Sequence, residues 1–156
     1  MPEYLSSKVI ASYSPINFEA DISGFNEIAK SEGKSCAYPV PLKCGKLLFA
    51  IPKDDDAWCE GAFGIKMPIP ERSFEIKPSD IDFAVIPCVA FDPETGVRLG
   101  MGGGYYDRTI PEMTFAFKVS PAFEIAKVSG FATDEFDMPV DAVVTEKSIY
   151  RFKQLR

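Results

Sequence analysis

Short apolar segments alternate with polar turns along the chain, and six of these segments have the length and composition of buried β-strands. β-Branched and aromatic residues are frequent in them, which favours strands over helices. The predicted strands are residues 8–13, 35–39, 46–51, 81–87, 114–119 and 142–145. Residues 68–78 contain three prolines and are predicted to form a connecting loop.

Helical periodicity is clearest between the first two predicted strands. Asp21 or Ser23 can cap a helix over residues 21–30, and Gly33 can end it. Its apolar face would consist of Ile22, Phe25 and Ile28 or Ala29. Further helices are predicted to begin at Tyr105, running to Ile110, and to span residues 122–128. The order strand, helix, strand favours parallel pairing, so we predict an α/β fold with a mostly parallel sheet flanked by helices.

The composition is that of a globular protein of modest size. At 156 residues and 46% hydrophobic content, the chain is expected to form one domain, residues 1–156. No apolar run approaches membrane-spanning length, and no signal peptide is visible near Met1. The four cysteines are scattered, as in a reduced cytosolic protein. We therefore expect a cytoplasmic protein that forms a monomer or a weak dimer and has no membrane partner.

The net charge and the absence of histidine narrow the possible classes of function further. The net charge of −6 argues against nucleic-acid binding, although a local arginine cluster can still bind an anionic nucleotide. The chain has no histidine, which excludes Ser-His-Asp and Cys-His catalysis and makes a zinc site improbable. Acid–base chemistry would have to come from Asp, Glu, Lys, Tyr or the substrate.

One glycine-rich stretch carries most of the candidate chemistry. Four glycines occupy five positions between Gly100 and Gly104, directly after a predicted strand and turn. Glycine permits positive φ and close approach of a ligand to the main chain, and successive N–H groups can converge on an anion. Arg98 and Arg108 could neutralise phosphate charge, and Asp107 could hold Mg²⁺. The alternative is a mobile glycine-rich turn beside a structural tyrosine pair; the spacing matches neither a P-loop nor a dinucleotide fingerprint.

Residues 91–92 and 96–108 resemble the signature of the 5-formyltetrahydrofolate cyclo-ligases, also called 5,10-methenyltetrahydrofolate synthetases. The resemblance covers residues 9–146. It implies a fold similar to the ribose-isomerase and coenzyme-A-transferase type. It also implies a ligase that uses ATP and Mg²⁺ to phosphorylate the formyl oxygen of 5-formyltetrahydrofolate, after which N10 attacks the activated carbon and a C–N bond forms.

The resemblance also implies roles for individual residues. The ATP-binding set would be Arg98, Leu99, Gly100, Met101, Gly102, Gly103, Gly104, Tyr105, Tyr106 and Arg108. The reduced folate would contact Ser14, Glu19, Gly102, Gly103, Gly104, Tyr105 and Tyr106. Arg98, Tyr105 and Tyr106 would be catalytic, and Asp107 and Asp137 would hold the metal. From the residues alone, Glu19 could instead be a solvated loop charge and Asp137 a turn acid.

Besides Phe136, which stands where the family usually has histidine, the chain departs from the family pattern in two further places. Met67 stands where the family usually has glutamate, and Trp58 or Phe63 nearby could pack on a pterin ring or in the core. The N-terminal helical segment that supplies a basic pair to ATP in the family is expected to be missing. These departures leave two alternatives: a non-catalytic folate- or nucleotide-binding relative, or an enzyme of the same fold that acts on another phosphorylated or acyl substrate.

Overall fold

The computed structural model describes residues 1–16 and 18–153, and its centre is an eight-stranded sheet. The strands are β1 (Val9–Ala11), β2 (Ser35–Pro41), β3 (Leu47–Pro52), β4 (Trp58–Glu60), β5 (Lys66–Pro68), β6 (Ser73–Ile76), β7 (Phe83–Val85), β8 (Ala90–Phe91), β9 (Arg98–Leu99), β10 (Phe117–Pro121), β11 (Ala142–Val144) and β12 (Ile149–Arg151). The α-helices are α1 (Pro2–Ser6), α2 (Ser23–Ser31) and α3 (Tyr105–Thr109).

The strand order in the large sheet is β12-β11-β10-β7-β1-β2-β3-β6. The five central strands, from β11 to β2, are parallel to one another, whereas β12, β3 and β6 pair antiparallel at the two sides. Two antiparallel ribbons, β4–β5 and β8–β9, lie outside this sheet. The predicted α/β fold with a mostly parallel sheet is therefore confirmed, including the parallel unit β1–α2–β2.

Three local predictions differ from the structure. Residues 68–78 contain the edge strand β6, in which polar and apolar residues are mixed and none is buried, so that it makes no apolar run. Residues 122–128 form no α-helix but a single 3₁₀ turn, because Val128 donates its N–H to the carbonyl of Phe91 and the segment extends beside it. The strand predicted at 114–119 lies at Phe117–Pro121.

Two apolar clusters pack on the sheet. One contains Phe49, Ile86, Phe91 and Met113, and the other contains Ile10, Tyr13 and Phe83. Burial of these side chains is the main favourable contribution to the free energy of folding. Among the described residues, none of the helices has the length and apolar content that crossing a membrane requires.

The connection after β7 carries the glycine run to the carboxyl ends of the parallel strands. Ile86 donates its N–H to the carbonyl of Val119 and so extends the alignment of β7 with β10. The chain then passes Cys88 and forms the ribbon β8–β9, in which the N–H of Val89 bonds the carbonyl of Leu99. Residues 100–104 and helix α3 follow directly. In α/β sheets, the carboxyl ends of the strands are the usual ligand-binding edge.

Candidate functional site

The turn before the glycine run is held by the buried carboxylate of Asp92. Its Oδ1 accepts hydrogen bonds from the backbone N–H groups of Glu94 (2.8 Å) and Thr95 (3.2 Å). Its Oδ2 accepts one from Gly130 at 3.1 Å, and these N–H groups lower the pKa of Asp92. Asp92 therefore connects the turn to the segment that leads to Asp137. The sequence predicted a turn before the glycine run but gave no sign of the contact with Gly130.

Arg98 lies beneath the glycine run rather than on its exposed side. Its side chain is only 2% exposed, and Nη2 donates to Asp107 Oδ1 at 3.0 Å. The guanidinium also stacks over the ring of Tyr106, 5.5 Å from the centroid. Its Nε is buried and has no hydrogen-bond partner within residues 1–16 and 18–153. Arg98 thus joins two predicted site residues and keeps one donor unused.

The glycine run presents open main chain. Residues 99–103 are exposed, and Gly102 and Gly104 have positive φ values of 80° and 64°. A Cβ on Gly102 would have no heavy atom within 4 Å, so the space above this residue is open to a ligand. Positive φ combined with open space is what a main-chain anion cradle requires, and the loop therefore fits a phosphate group.

Arg108 also contacts the glycine run. Its Nη2 donates to the carbonyl of Gly103 at 2.5 Å, and its Nε donates to the carbonyl of Gly45 at 2.8 Å. The guanidinium lies 5.5 Å from the ring centroid of Tyr105. The structure therefore brings the predicted ATP-binding residues of this segment together, but in it Arg108 contacts main-chain carbonyls.

The predicted folate residues lie on the segment after β1. Glu19 is half-buried, and its Oε2 accepts a hydrogen bond from the N–H of Ile16 at 3.0 Å. Burial raises the pKa of Glu19 even though the hydrogen bond opposes that change. Phe18, the residue before Glu19, is exposed and has a φ of 76°, an uncommon conformation for a non-glycine residue. Ser14 Oγ donates to the carbonyl of Lys66 at 2.7 Å, which fixes the segment to β5.

The charge of Glu19 also acts on three buried groups. Its charge contributes to the raised pKa values of Tyr13, Tyr106 and Cys88, and in all three cases burial is the main cause. The pKa of Cys88 rises to about 11, although the guanidinium of Arg98 opposes the change. A thiol with this pKa is neutral at physiological pH and is therefore a poor nucleophile.

Two further buried polar atoms in this region lack partners. The hydroxyl groups of Tyr106 and Ser120 have no hydrogen-bond partner in the described part of the chain. Tyr106 belongs to the predicted site, whereas Ser120, near the end of β10, was missed. No sequence motif marks Ser120, because its place in the site follows only from the alignment of β10 with β7.

The two predicted metal ligands lie in neighbouring segments. Asp107 Oδ1 accepts a hydrogen bond from the N–H of Met138 at 3.4 Å, so the residue after Asp137 contacts Asp107. Asp137 Oδ2 accepts one from the N–H of Asp134 at 2.9 Å. No group of three or more metal-ligating side chains occurs among residues 1–16 and 18–153. Two carboxylates nevertheless suit Mg²⁺, which usually takes one or two from the protein and completes its shell with water and substrate phosphates.

Met67, which departs from the family pattern, and the two aromatic candidates for pterin packing lie in and beside the β4–β5 ribbon. Trp58 packs edge-on against Tyr38, with 4.8 Å between ring centroids. Met67 is half-buried, and its carbonyl accepts the thiol of Cys59 at 3.6 Å. The side chain of Phe63 lies outside the described part of the structure. Residues 2–6 form α1, whose last turn leads to the amino end of β1, opposite the glycine run.

The chain is similar to known proteins over most of its length. The model of the 5-formyltetrahydrofolate cyclo-ligase family matches residues 1–146. The 5-formyltetrahydrofolate cyclo-ligase of Escherichia coli K12 is 30% identical, over 97% of this chain and 85% of that protein. The corresponding protein of Haemophilus influenzae is also 30% identical, over 88% of this chain and 75% of that protein.

Solved structures agree with the sequence comparisons. The NMR structure of Aquifex aeolicus 5,10-methenyltetrahydrofolate synthetase superposes with a TM-score of 0.82 at 33% identity, covering 100% of this chain and 77% of that one. The synthetase from Mycoplasma pneumoniae gives a TM-score of 0.71 at 26% identity, covering 92% and 75%. The matched region contains the glycine run, Glu19 and both predicted metal ligands. The chain therefore belongs to the 5-formyltetrahydrofolate cyclo-ligase family.

Proposed function

We propose that this protein catalyses the ATP-dependent cyclisation of 5-formyltetrahydrofolate to 5,10-methenyltetrahydrofolate, with ADP and phosphate as the other products. The observation that carries the proposal is the open glycine run, which passes directly into Asp107 above the buried guanidinium of Arg98. Main-chain N–H groups that can bind an anion lie there next to a carboxylate that can bind a hard cation. A site for a magnesium–nucleotide complex requires both. Membership of the cyclo-ligase family supports the same assignment.

The nucleotide end of the site consists of the loop and the acids beside it. The N–H groups of residues 100–104 would bind phosphate oxygens. The positive charge of Arg98 would make it more favourable to place a negatively charged group on the glycine run. Asp107 and Asp137 would hold Mg²⁺, which when bound neutralises charge on the transferring phosphoryl group. Because phosphoryl transfer depends mainly on positioning and charge stabilisation, this arrangement needs no covalent participation by the protein.

The folate end consists of the segment after β1. The carboxylate of Glu19 would accept hydrogen bonds from the amino and ring N–H groups of the pterin, which lie side by side. Ser14 and the ring of Tyr105 would line the same pocket. The unpartnered hydroxyl of Tyr106 is available to donate to an oxygen of the substrate, because it has no acceptor in the described residues.

The chemistry can proceed without an enzyme nucleophile. The formyl oxygen attacks the γ-phosphorus of ATP and ADP leaves. N10 then attacks the formyl carbon, the C–O bond to phosphate breaks, and the proton on N10 is released. The thiol of Cys88, whose pKa burial raises to about 11, is neutral and has no role in these steps. We also propose a cytoplasmic location, which the four free cysteines support.

A turnover assay tests the proposal directly. Purified protein is mixed with ATP, Mg²⁺ and 5-formyltetrahydrofolate, and the absorbance of the methenyl product is followed. We expect product that depends on both ATP and Mg²⁺. Tight binding of both ligands without product would instead show a non-catalytic relative. Phosphate release with a different acyl substrate, but none with 5-formyltetrahydrofolate, would show an enzyme of the same fold with another substrate.

A further inference from the structure

Arg108 joins the glycine run to a segment that is distant in sequence. Its guanidinium donates to the carbonyl of Gly103 in the glycine run and to the carbonyl of Gly45 in the turn between β2 and β3. We call residues 42–46 the β2–β3 turn. Both accepting groups belong to the main chain, so the contact fixes the backbone of two loops at once.

The space around this guanidinium is closed on both sides by glycine. A Cβ on Gly45 would lie 2.9 Å from Nε of Arg108, and a Cβ on Gly104 would lie 2.5 Å from Nη1. Both glycines have positive φ, at 82° and 64°. A side chain at either position would therefore collide with the guanidinium and strain the backbone. The two glycines and Arg108 form one interlocking unit.

The contact also sets the direction of a main-chain donor in the loop. In a trans peptide the C=O and N–H of one unit point to opposite sides. Because the carbonyl of Gly103 points to Arg108, the N–H of Gly104 points away from the guanidinium. Arg108 thereby orients one of the N–H groups that a phosphate cradle would use.

We propose that Arg108 is a positioning residue that locks the glycine run against the β2–β3 turn, and that this turn forms one wall of the nucleotide site. The inference rests on the proposed function for the identity of the nucleotide. It differs from the expected role of Arg108 as a direct phosphate contact. It also adds the exposed residues Lys43 and Cys44 of the turn to the surroundings of the nucleotide.

The base of the β2–β3 turn is fastened independently of Arg108. Lys46 forms an ion pair with Glu112, and the N–H of Leu47 donates to Thr109 Oγ1 at 3.0 Å. Thr109 Oγ1 in turn donates to the carbonyl of Tyr105 at 2.7 Å. Loss of the arginine should therefore release the tip of the turn and the glycine run while the fold remains intact.

The decisive variants act on opposite sides of the contact. Gly45→Ala leaves Arg108 in place but pushes the guanidinium off the turn, and Gly33→Ala is its control. Gly33 has a similar φ of 77°, yet a Cβ there would have no heavy atom within 4 Å. We expect Arg108→Ala and Gly45→Ala each to weaken Mg·ATP binding roughly tenfold in calorimetry. The double variant should bind Mg·ATP with the same affinity as the weaker-binding of the two single variants, because both substitutions remove the same contact. Gly33→Ala should bind Mg·ATP like wild type.

Arg108→Lys separates positioning from direct charge contact. Lysine keeps the charge, but its single ammonium group lacks the planar fork that bonds two carbonyls. The positioning role predicts that Arg108→Lys loses affinity like Arg108→Ala, whereas a direct phosphate contact predicts that lysine retains most of it. Hydrogen exchange supplies a readout without nucleotide: Arg108→Ala and Arg108→Lys should both accelerate exchange in residues 42–46 and 100–104.

Cys44 provides a test of the proposed wall. It is exposed, so alkylation followed by peptide mass mapping measures its accessibility. Mg·ATP should protect Cys44 in the wild type and protect it less in Arg108→Lys. If the wild type binds ATP while Gly45→Ala binds equally well, or Cys44 is not protected, the inference is wrong and the proposed function stands. If the wild type does not bind ATP, both are wrong.

Discussion

The two ends of the parallel strands differ in how their polar groups are satisfied. At the amino end, Asp82 Oδ2 accepts hydrogen bonds from the N–H groups of Lys8 and Val9 at 2.8 and 2.9 Å. Lys34 Nζ donates to carbonyls at the end of α1, those of Tyr4, Leu5 and Ser7. Glu3 forms a two-pronged ion pair with Arg151. These groups satisfy one another and need no ligand.

At the carboxyl end, several buried groups are left without partners. Nε of Arg98 and the hydroxyl groups of Tyr106 and Ser120 have no hydrogen bond in the part of the chain that the structure describes. Burial also raises the pKa of Glu19. Unsatisfied buried polar groups lower the free energy of unfolding, so their concentration at one end indicates that this end is built for a ligand. The amino end, in contrast, contributes stability.

The largest expected effect comes from two matched glycine substitutions, one at each end. Gly102 and Gly33 have φ values of 80° and 77°, and a Cβ on either would have open space within 4 Å. Valine should therefore lower the free energy of unfolding by a similar amount at both positions, about 1–2 kcal/mol from backbone strain. Only Gly102→Val places a side chain where phosphate would approach, so we expect at least about 100-fold weaker Mg·ATP binding, measured by calorimetry.

Gly33→Val serves as the control for that measurement, with chemical denaturation of both variants as the check on stability. Equal ATP affinity for Gly102→Val and wild type would remove the glycine run from the nucleotide site. Equal loss of affinity in both variants would show that the effect arises from stability alone.

A charge substitution at each end gives the next largest contrast. Asp107→Asn keeps an acceptor for Arg98 but removes a carboxylate from the proposed Mg²⁺ site. We expect kcat/KM to fall roughly 10–100-fold at limiting Mg²⁺, with folate affinity nearly unchanged. Glu3→Gln, the counterpart at the amino end, breaks a partly exposed ion pair and should change the free energy of unfolding by at most about 1 kcal/mol. The check is initial-rate kinetics over a Mg²⁺ titration; an unchanged Mg²⁺ dependence in Asp107→Asn would exclude the metal role.

Glu19→Gln should lower the affinity for folate without lowering the stability of the protein. We expect folate to bind roughly tenfold more weakly, because a charge-assisted hydrogen bond is lost, while ATP binds as before. Because burial raises the pKa of Glu19, the folded state favours the protonated carboxyl and the charged form opposes folding. The neutral glutamine should therefore raise the melting temperature slightly at neutral pH. A lower melting temperature with unchanged folate affinity would make Glu19 a structural residue.

The same residue gives a pH dependence with a definite sign. If the carboxylate binds the pterin, folate affinity should fall as the pH decreases through the pKa of Glu19, which lies above its usual value of about 4.3. The neighbouring Tyr13, Tyr106 and Cys88 have raised pKa values and stay protonated over this range. Fluorescence titrations of folate between neutral and mildly acidic pH should show this decrease in wild type and not in Glu19→Gln.

The sequence predicted those strands and helices that are marked by an apolar run or by helical periodicity. The apolar runs that became β1, β2 and β7 were identified, as was the parallel unit around α2. The edge strands β6 and β12 were not, because an edge strand with half-exposed side chains lacks an apolar run. Residues 122–128 were predicted as a helix, yet Phe123 and Ile125 are exposed, so their apolar side chains form no buried helical face.

Some features of the candidate site were likewise predicted from the sequence, and others were not. The glycine run, Asp107 and Glu19 were singled out because each lies in a motif that is continuous in sequence. The burial of Arg98, the bond from Gly130 to Asp92 and the bond from Arg108 to Gly45 were not predictable. Each of these contacts is a tertiary one that depends on how the loops fold over the sheet, and a single sequence carries no signal for it.

The smallest expected effect is a change in the free energy of unfolding, which should differ in sign when each of two buried serines is replaced by alanine. Ser120 Oγ, at the carboxyl end, lacks a partner among residues 1–16 and 18–153, and the nearby thiol of Cys88 is only a weak hydrogen-bonding group. Ser7 Oγ, at the amino end, donates to the carbonyl of Tyr4 at 2.7 Å. Ser120→Ala should therefore be neutral or raise the free energy of unfolding by up to about 1 kcal/mol, whereas Ser7→Ala should lower it by about 1 kcal/mol.

Chemical denaturation of both serine variants, with the dependence on denaturant compared to wild type, measures the two changes. The unpartnered hydroxyl of Ser120 would then be a group kept at the carboxyl end despite its cost to stability. If Ser120→Ala destabilises the protein as much as Ser7→Ala does, Ser120 is satisfied in solution and the contrast between the two ends is smaller than the structure indicates. If Ser120→Ala is stable and also lowers folate or ATP affinity, the hydroxyl serves the ligand, as the unpartnered groups of Arg98 and Tyr106 are expected to do.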